Sequence, residues 1–238
     1  MKNSVVSQHI SKQFDDELEN VRGKVLAMGG LVEQQLNNAI KSLVGGDLDL
    51  ASSVVDTEVQ VNSYDVSIDQ ECTKILARRQ PAASDLRLVM AITKTITDLE
   101  RVGDEAEKIA KMGIELADKH GPKSYYIGIN AMGNLVSRML HDALDAFARM
   151  DSKKAVEVAG KELESDDQYV AILRQLITYM MEDPRNISGA LDAVWVARAL
   201  ERIGDHSRNI CENIIYLVEG KDVRHTSIKY MEEIVSDH

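Results

Sequence analysis

The stretch that decides the fold occurs twice, as LERVGDEAEKI at residues 99–109 and as LERIGDHSRNI at residues 200–210. Six of the eleven positions are identical. In both copies apolar residues recur every three or four positions, which is the spacing of a helix that faces a core. A match of this length on one helix face indicates an internal duplication of the chain.

Shorter matches extend the duplication outward. They join residues that are 103 or 104 positions apart: Met28-Gly29 with Met132-Gly133, Asp47 with Asp151, and Pro81 with Pro184. Because each match falls at the corresponding place, we predict two related halves, residues 1–119 and 120–238, the second with a C-terminal tail. The helix-breaking sequence His120-Gly121-Pro122 lies at their junction.

Helical periodicity predicts three helices in each half. The apolar stripes run from Phe14 to Leu43, from Val54 to Ile75, from Val89 to Ala110, from Met132 to Phe147, from the turn at Asp151-Ser152 to about Asp183, and from Ala193 to Ile214. We expect Asp47 and Ser84-Asp85 to begin helices and the prolines to end them. The predicted fold class is all-α, with two tandem, sequence-related three-helix bundles.

The composition excludes several classes of function. The net charge of −11 opposes binding to nucleic acid, because that affinity comes from Lys and Arg. The chain has no run of about 18 apolar residues, the length that a membrane-spanning helix needs, and the N-terminus does not resemble a signal peptide. We expect a cytoplasmic protein in which Cys72 and Cys211 are buried free thiols rather than a disulfide.

Each copy of the repeated stretch carries two acids one helical turn apart. Glu100 and Asp104 form one pair, and Glu201 and Asp205 form the other. Such a pair lies on one helix face about 5–6 Å apart, and its like charges destabilise an isolated helix by about 0.2–0.5 kcal/mol. The glycine between them, Gly103 or Gly204, lies on the apolar stripe, so the carboxylates flank the core.

The preceding helices offer two further pairs with the same spacing. These are Asp65 with Asp69 in the first half and Glu162 with Asp166 in the second. If the helices pack together, each half presents about four carboxylates to one site. An all-oxygen site favours hard cations such as Mg, Mn or iron, and zinc less. We predict no organic cofactor.

Two other interpretations of these acids stay open. Acids four apart are often a solvated helix face, here with Arg101, Arg198 or Arg202 as partners, and Glu233 and Asp237 show that the spacing alone is common. A metal-dependent hydrolase or oxidase would also use helical carboxylates. The chain lacks Glu-x-x-His, GxxxxGK(S/T), GxGxxG and His-Glu-x-x-His motifs, so we do not expect an enzyme.

Seven blocks in order resemble the PhoU family of phosphate-signalling regulators. Besides the two repeated stretches they are GGLVEQQL at 29–36, ARRQPA at 77–82, SDLRLV at 84–89, HDALDAFARMD at 141–151 and YMMED at 179–183. The resemblance covers nearly the whole chain. It implies two three-helix bundles related by pseudo-twofold symmetry.

The resemblance also implies a function. Members of this family are negative regulators of the phosphate-starvation response that contact the ATP-binding subunit of the phosphate ABC transporter and a membrane sensor histidine kinase. The protein would then meet the membrane only through its partners and is expected to form a homodimer. The family's metal-binding motif, (Glu/Asp)-x-x-x-Asp, falls on Glu100 and Asp104 and on Glu201 and Asp205. Asn209 replaces Lys108 one turn further on, so the two sites need not be equivalent.

Overall fold

The structure, a computed structural model, describes residues 12–117 and 125–236. Within these ranges the chain forms α-helices joined by short connections and no strand. The helices are α1 Lys12–Gly45, α2 Leu48–Arg79, α3 Ala83–Ala117, α4 Tyr125–Arg149, α5 Ser152–Ala159, α6 Glu162–Glu182, α7 Ile187–Glu219 and α8 Ile228–Ser236. A single 3₁₀ turn, Pro184–Asn186, precedes α7. The predicted all-α fold class is confirmed.

Each half is a three-helix bundle; α3 begins at Ala83, one residue before the predicted start at Ser84-Asp85. Helices α1, α2 and α3 pack on one another in the first half, and α4, α5–α6 and α7 do so in the second. The Asp47 side chain accepts a hydrogen bond from the backbone N–H of Leu50, and Asp151 accepts one from Lys154. Both aspartates therefore cap the N-terminus of a helix, as their places in the repeat predict.

The predicted fifth helix is not continuous, so this part of the prediction is wrong. It breaks between α5 and α6, where the N–H of Lys161 bonds to the carbonyl of Val158, only three residues back. Gly160 at this point has a low helix propensity. A Cβ there would lie 3.9 Å from Ile228 at the start of α8, which packs on α5. Helix α8 falls in the predicted C-terminal tail, although its apolar residues have helical spacing: Ile228, Met231, Ile234 and Val235.

The predicted apolar stripes form the core. Val89, Ile92, Ile96 and Leu99 on α3 are all at most 1% exposed. Cys72 and Cys211 are buried and free, as predicted. The His120-Gly121-Pro122 break and the predicted boundary between residues 119 and 120 lie outside the described residues, as does Asp237, and stay predictions.

Two antiparallel helix pairs join the halves. On α3 and α7, Asp98 pairs with His206 while Glu105 pairs with Arg202, so the helices run in opposite directions. The second pair is α1 and α4, which meet at Gly29 against Leu144 and at Gly133 against Ile40.

The contacts between α1 and α4 are themselves repeated. Gly29 and Gly133 are 104 positions apart, and so are Ile40 and Leu144. A Cβ on Gly29 would lie 2.4 Å from Leu144 Cδ2, and one on Gly133 would lie 3.0 Å from Ile40 Cδ1. Each half therefore supplies one glycine and one large side chain to the same interface. This reciprocal arrangement is the pseudo-twofold symmetry that the family resemblance implies.

Candidate metal centre

Three carboxylates converge in the second half, at the N-terminal end of α6. One oxygen each of Glu162, Asp166 and Asp205 lies within 4.8 Å of the other two. Glu162 and Asp166 stand on consecutive turns of α6, and Asp205 faces them from α7. These three oxygens, from the described residues, could supply part of the six or more oxygen ligands that a hard cation takes.

Gly204 brings α6 and α7 close enough for this convergence. A Cβ at Gly204 would lie 3.0 Å from the Ser165 hydroxyl oxygen. Ser165 is buried between Glu162 and Asp166 on the facing side of α6. The glycine inside the repeated motif therefore serves close helix packing, as its place on the apolar stripe indicates.

The charges of this cluster are held in an unfavourable environment. Burial raises the pKa of Asp205, and the nearby charges of Asp166 and Glu162 raise it further. Burial and the charge of Asp205 likewise raise the pKa of Glu201. The Oε2 atom of Glu201 is buried and accepts no hydrogen bond from the described residues. A bound cation would relieve both the repulsion and this unpaired oxygen.

Arginine side chains compensate part of the acidic charge. Arg208 donates to Glu162 Oε2 at 2.9 Å and to Glu212 Oε1 at 3.1 Å. Arg198 pairs with Glu201 through its other oxygen. The solvated-face interpretation of the acids is thus correct for some oxygens, while the converging oxygens of the cluster remain close to one another.

The first half builds a different cluster. Glu100 and Asp104 stand on α3, and the acid that faces them from α2 is Glu58, which is 6% exposed. Gln35 Nε2 donates a hydrogen bond to Glu58 Oε2 at 2.9 Å. Burial raises the pKa of Glu58 despite this hydrogen bond, and the charge of Asp104 raises it further.

Glu58 is the residue that sequence reasoning missed. It stands on the apolar stripe between Val54 and Val61, where a carboxylate is unusual. Its counterpart 104 positions later is Glu162, and the counterpart of Asp166 is Asn62. The separation of 104 that links Asp47 to Asp151 would have found it.

Asp65 and Asp69 lie in different surroundings in the structure. Asp65 is partly buried, and its pKa is raised by burial and then by the charge of Asp69. Its charge also acts on Glu100, whose pKa is raised by burial and by Asp104. Asp69 is exposed. Glu58 is the α2 acid that lies against Gly103, while Asp65 acts on Glu100 and Asp69 faces solvent; metal binding by Asp65 and Asp69 stays a prediction.

None of the described helices is long and apolar enough to cross a membrane.

The side chains that come together in the clusters are carboxylates. His206 lies beside them, but its Nδ1 is bonded to Asp98 at 3.0 Å. Oxygen donors of this kind suit Mg, Mn or iron better than zinc, which favours thiolate and imidazole. Metal binding by the eight predicted acids stays a prediction.

Comparison with known proteins matches both halves of the chain separately. The family model described as the PhoU domain matches residues 25–112 and again residues 129–214. The phosphate-specific transport system accessory protein PhoU homolog of Pseudomonas aeruginosa is 50% identical over 98% of this chain and 96% of its own length. The accessory protein PhoU of Escherichia coli is 47% identical over 97% and 95%.

Solved structures agree with this result. The crystal structure of PhoU from Pseudomonas aeruginosa superimposes with a TM-score of 0.86 at 51% identity, covering 88% of this chain and 100% of that one. The phosphate transport system regulatory protein PhoU from Streptococcus pneumoniae gives a TM-score of 0.82 at 32% identity, covering 89% and 99%. From its duplicated helical bundles, its repeated acidic motif and these matches, the chain belongs to the PhoU family.

Proposed function

We propose that the protein is a negative regulator of the phosphate-starvation response and also modulates phosphate uptake. In this role it is an adaptor between the ATP-binding subunit of the phosphate ABC transporter and a sensor histidine kinase. The observation that carries the proposal is the match of both halves to one family, with relatives that are named as accessory proteins of the phosphate-specific transport system. A homodimer in the cytoplasm is part of the proposal.

A hard cation, Mg, Mn or iron, would bind to the second-half cluster. Glu162, Asp166 and Asp205 would supply its ligands, and the charges of Asp205 and Asp166 also act on Glu201. Glu100 and Asp104 would hold a second ion, with Asp65 and Glu58 nearby and Asp69 at the edge. The carboxylate donors support this choice of metals.

Metal binding in the second half would act on the first half through the packing of the helices. The cation would join α6 to α7, and α7 packs along α3 of the other half. An adaptor transmits a signal only if each partner binds one of its conformations more tightly than another. A metal that fixes the distance between α6 and α7 would favour one such conformation.

The test uses a bacterium that lacks its own copy of this gene and carries a reporter under a phosphate-starvation promoter. We expect the wild-type chain to repress the reporter in high phosphate and to copurify with the transporter ATPase and the kinase. Glu201→Gln with Asp205→Asn should weaken repression. The matched control is Glu164→Gln with Asp167→Asn, which removes two exposed acids from α6. Constitutive reporter activity with the wild-type chain would contradict the proposal.

The closeness of three carboxylates also keeps a metal-dependent hydrolase or oxidase in view as an alternative. Such an enzyme needs an open metal position and an acid–base group. Turnover of a phosphate monoester with added Mn or Mg that disappears in Asp205→Asn would favour this alternative. We expect no turnover.

A further inference from the structure

A groove of about 790 Å³ runs between α3 and α7 beside the second carboxylate cluster. Its volume lies in the range of small-molecule sites. The cationic side chains on its walls are Lys94, Arg198, Arg202, Arg208 and Arg224. Four acids line the same groove, namely Asp98, Glu162, Asp205 and Glu212.

Three of the four acids that line the groove are engaged by neighbouring side chains. Asp98 accepts hydrogen bonds from His206 and Asn209 at 3.0 Å and from Asn213 at 3.4 Å. Glu162 and Glu212 share an ion pair with Arg208. The fourth acid, Asp205, makes no ion pair with the described residues, so a ligand's phosphate groups should lie away from it.

Two of the cations have donors to spare. The ammonium group of Lys94 lies 5.2 Å from the centre of the Tyr216 ring and makes no ion pair with the described residues. Arg202 uses its Nε for Glu105 at 3.0 Å, and within the same ranges its two terminal nitrogens have no partner. The groove thus offers a ligand the ammonium group of Lys94, whose charge also acts on Asp222, and two N–H donors of Arg202, whose charge is balanced by Glu105.

Comparison of the two repeats shows that some of the basic side chains of this groove are absent from the symmetry-related surface. The counterpart of Lys94 is Trp195, the counterpart of Arg208 is Glu107, and the counterpart of His206 is Glu105. The symmetry-related surface therefore has a neutral residue in place of Lys94 and acids in place of Arg208 and His206. The helix packing that the two halves share does not require these three differences.

The helix register gives the length of the groove. Asp98 contacts Asn209, and Glu105 contacts Arg202, so Lys94 lies opposite about residue 213. Eleven residues separate that level from Arg202, or roughly 16 Å along the helix. Asp205, whose charge is not neutralised by an ion pair, is eight residues from the Lys94 level, roughly 12 Å.

We propose that this groove binds a phosphorylated small molecule of about nucleotide size, with its phosphate groups at Lys94 and its other end toward Arg202. Lys94 would contact the phosphate groups, while Arg224, which also lines the groove, is held by Asp222, and Asn209 and Asn213 each already donate one hydrogen bond to Asp98. This goes beyond the adaptor role, and it does not depend on the metal or on the partners.

The test is calorimetric titration of the full chain in EDTA with inorganic phosphate, pyrophosphate and ATP. We expect at least one of these probes to bind with one-to-one stoichiometry and a dissociation constant below about 1 mM. Lys94→Gln should weaken that binding about tenfold or more, which is the loss expected for a charge-assisted hydrogen bond. Circular dichroism would verify that the variant is folded.

The matched control is Lys111→Gln, which removes a lysine from the same helix outside the groove, where it pairs with Glu107. Its affinity should equal that of the wild type. Arg202→Gln should weaken ATP but not inorganic phosphate. The proposal is overturned if none of the three probes binds, or if Lys94→Gln binds as well as Lys111→Gln. The reporter experiment above is independent of either result.

Discussion

In the second half three carboxylates from α6 and α7 approach one another, whereas in the first half one buried glutamate on α2 faces the pair on α3. The two clusters share the glycine and the acid pair of the repeated motif. They differ in what surrounds these residues: Ser165 replaces Val61, Asp166 replaces Asn62, and Met139 replaces Gln35. The duplication therefore preserved the helix packing while the polar groups around each cluster diverged, and the two sites should be tested separately.

The largest expected difference is in metal binding. We expect the second-half ion to be held more tightly, so at limiting metal Glu201→Gln with Asp205→Asn should remove most of the bound metal, while Glu100→Gln with Asp104→Asn should leave most of it. At a free metal concentration one hundred times the dissociation constant, binding raises the free energy of unfolding by about 2.7 kcal/mol. Metal content by mass spectrometry and thermal unfolding with and without metal measure both effects. Equal metal content in the two double variants would show that the halves are equivalent.

The second prediction is that the same Glu-to-Gln change has opposite effects on the free energy of unfolding in the two halves of the metal-free protein. Glu162→Gln removes the ion pair with Arg208 and should lower the free energy of unfolding by about 1–2 kcal/mol. Glu58→Gln should raise it by about 0.5–1 kcal/mol, because it removes a buried charge and gives the unpaired Gln35 Oε1 a donor. Urea unfolding in EDTA measures both. A loss of stability in both variants would mean that Glu58 is satisfied in the native protein.

A smaller difference is expected at the two motif glycines. A Cβ at Gly103 would lie 2.9 Å from Glu58 Oε2 and 3.2 Å from Gln35 Oε1, whereas at Gly204 the nearest atom is the Ser165 hydroxyl at 3.0 Å. The Ser165 hydroxyl makes no hydrogen bond that its rotation would break, whereas moving Glu58 or Gln35 would disturb their buried hydrogen bond. After the gain in helix propensity, Gly103→Ala should be about 1 kcal/mol less stable than Gly204→Ala. Chemical unfolding of the two variants at neutral pH tests this, and equal stability would contradict it.

The smallest effect is on the pH dependence of stability in EDTA. The folded-state pKa values of Glu100, Glu201 and Asp205 are raised above their ordinary values of 4.5, 4.5 and 3.8. The folded protein therefore binds more protons than the unfolded chain, and this contribution to stability is lost as pH rises from about 4 through the raised pKa values.

The comparison that isolates this contribution is wild type against the variant Glu100→Gln, Asp104→Asn, Glu201→Gln, Asp205→Asn. The melting temperature of the wild type relative to the variant should fall between pH 4 and pH 7 by a few degrees, as a contribution of about 1 kcal/mol would produce in a chain of this length. A constant difference across that range would show that these acids are not perturbed. Added metal should reverse the trend, because cations and protons compete for the same oxygens.

Much of the fold follows from local sequence. The apolar spacing of three and four residues places the long helices, and Asp47 and Asp151 begin helices because their side chains can accept an N-terminal N–H. The break at Gly160 did not follow, because glycine inside a helical pattern is compatible with either a continuous or a broken helix. The contact of α8 with α5 accompanies the broken form here, and that contact joins residues far apart in the chain.

For the candidate site, too, some features follow from the local sequence and others only from the tertiary structure. The sequence by itself determined the duplication, the helices and the acids one turn apart, because these depend on residues close together in the chain. Only the tertiary structure decided that the buried Glu58 joins Asp65 beside Glu100 and Asp104, and that Lys94 and Arg202 line one groove. The relative sliding and rotation of packed helices sets these neighbours, and it depends on how side chains on both helices fit together.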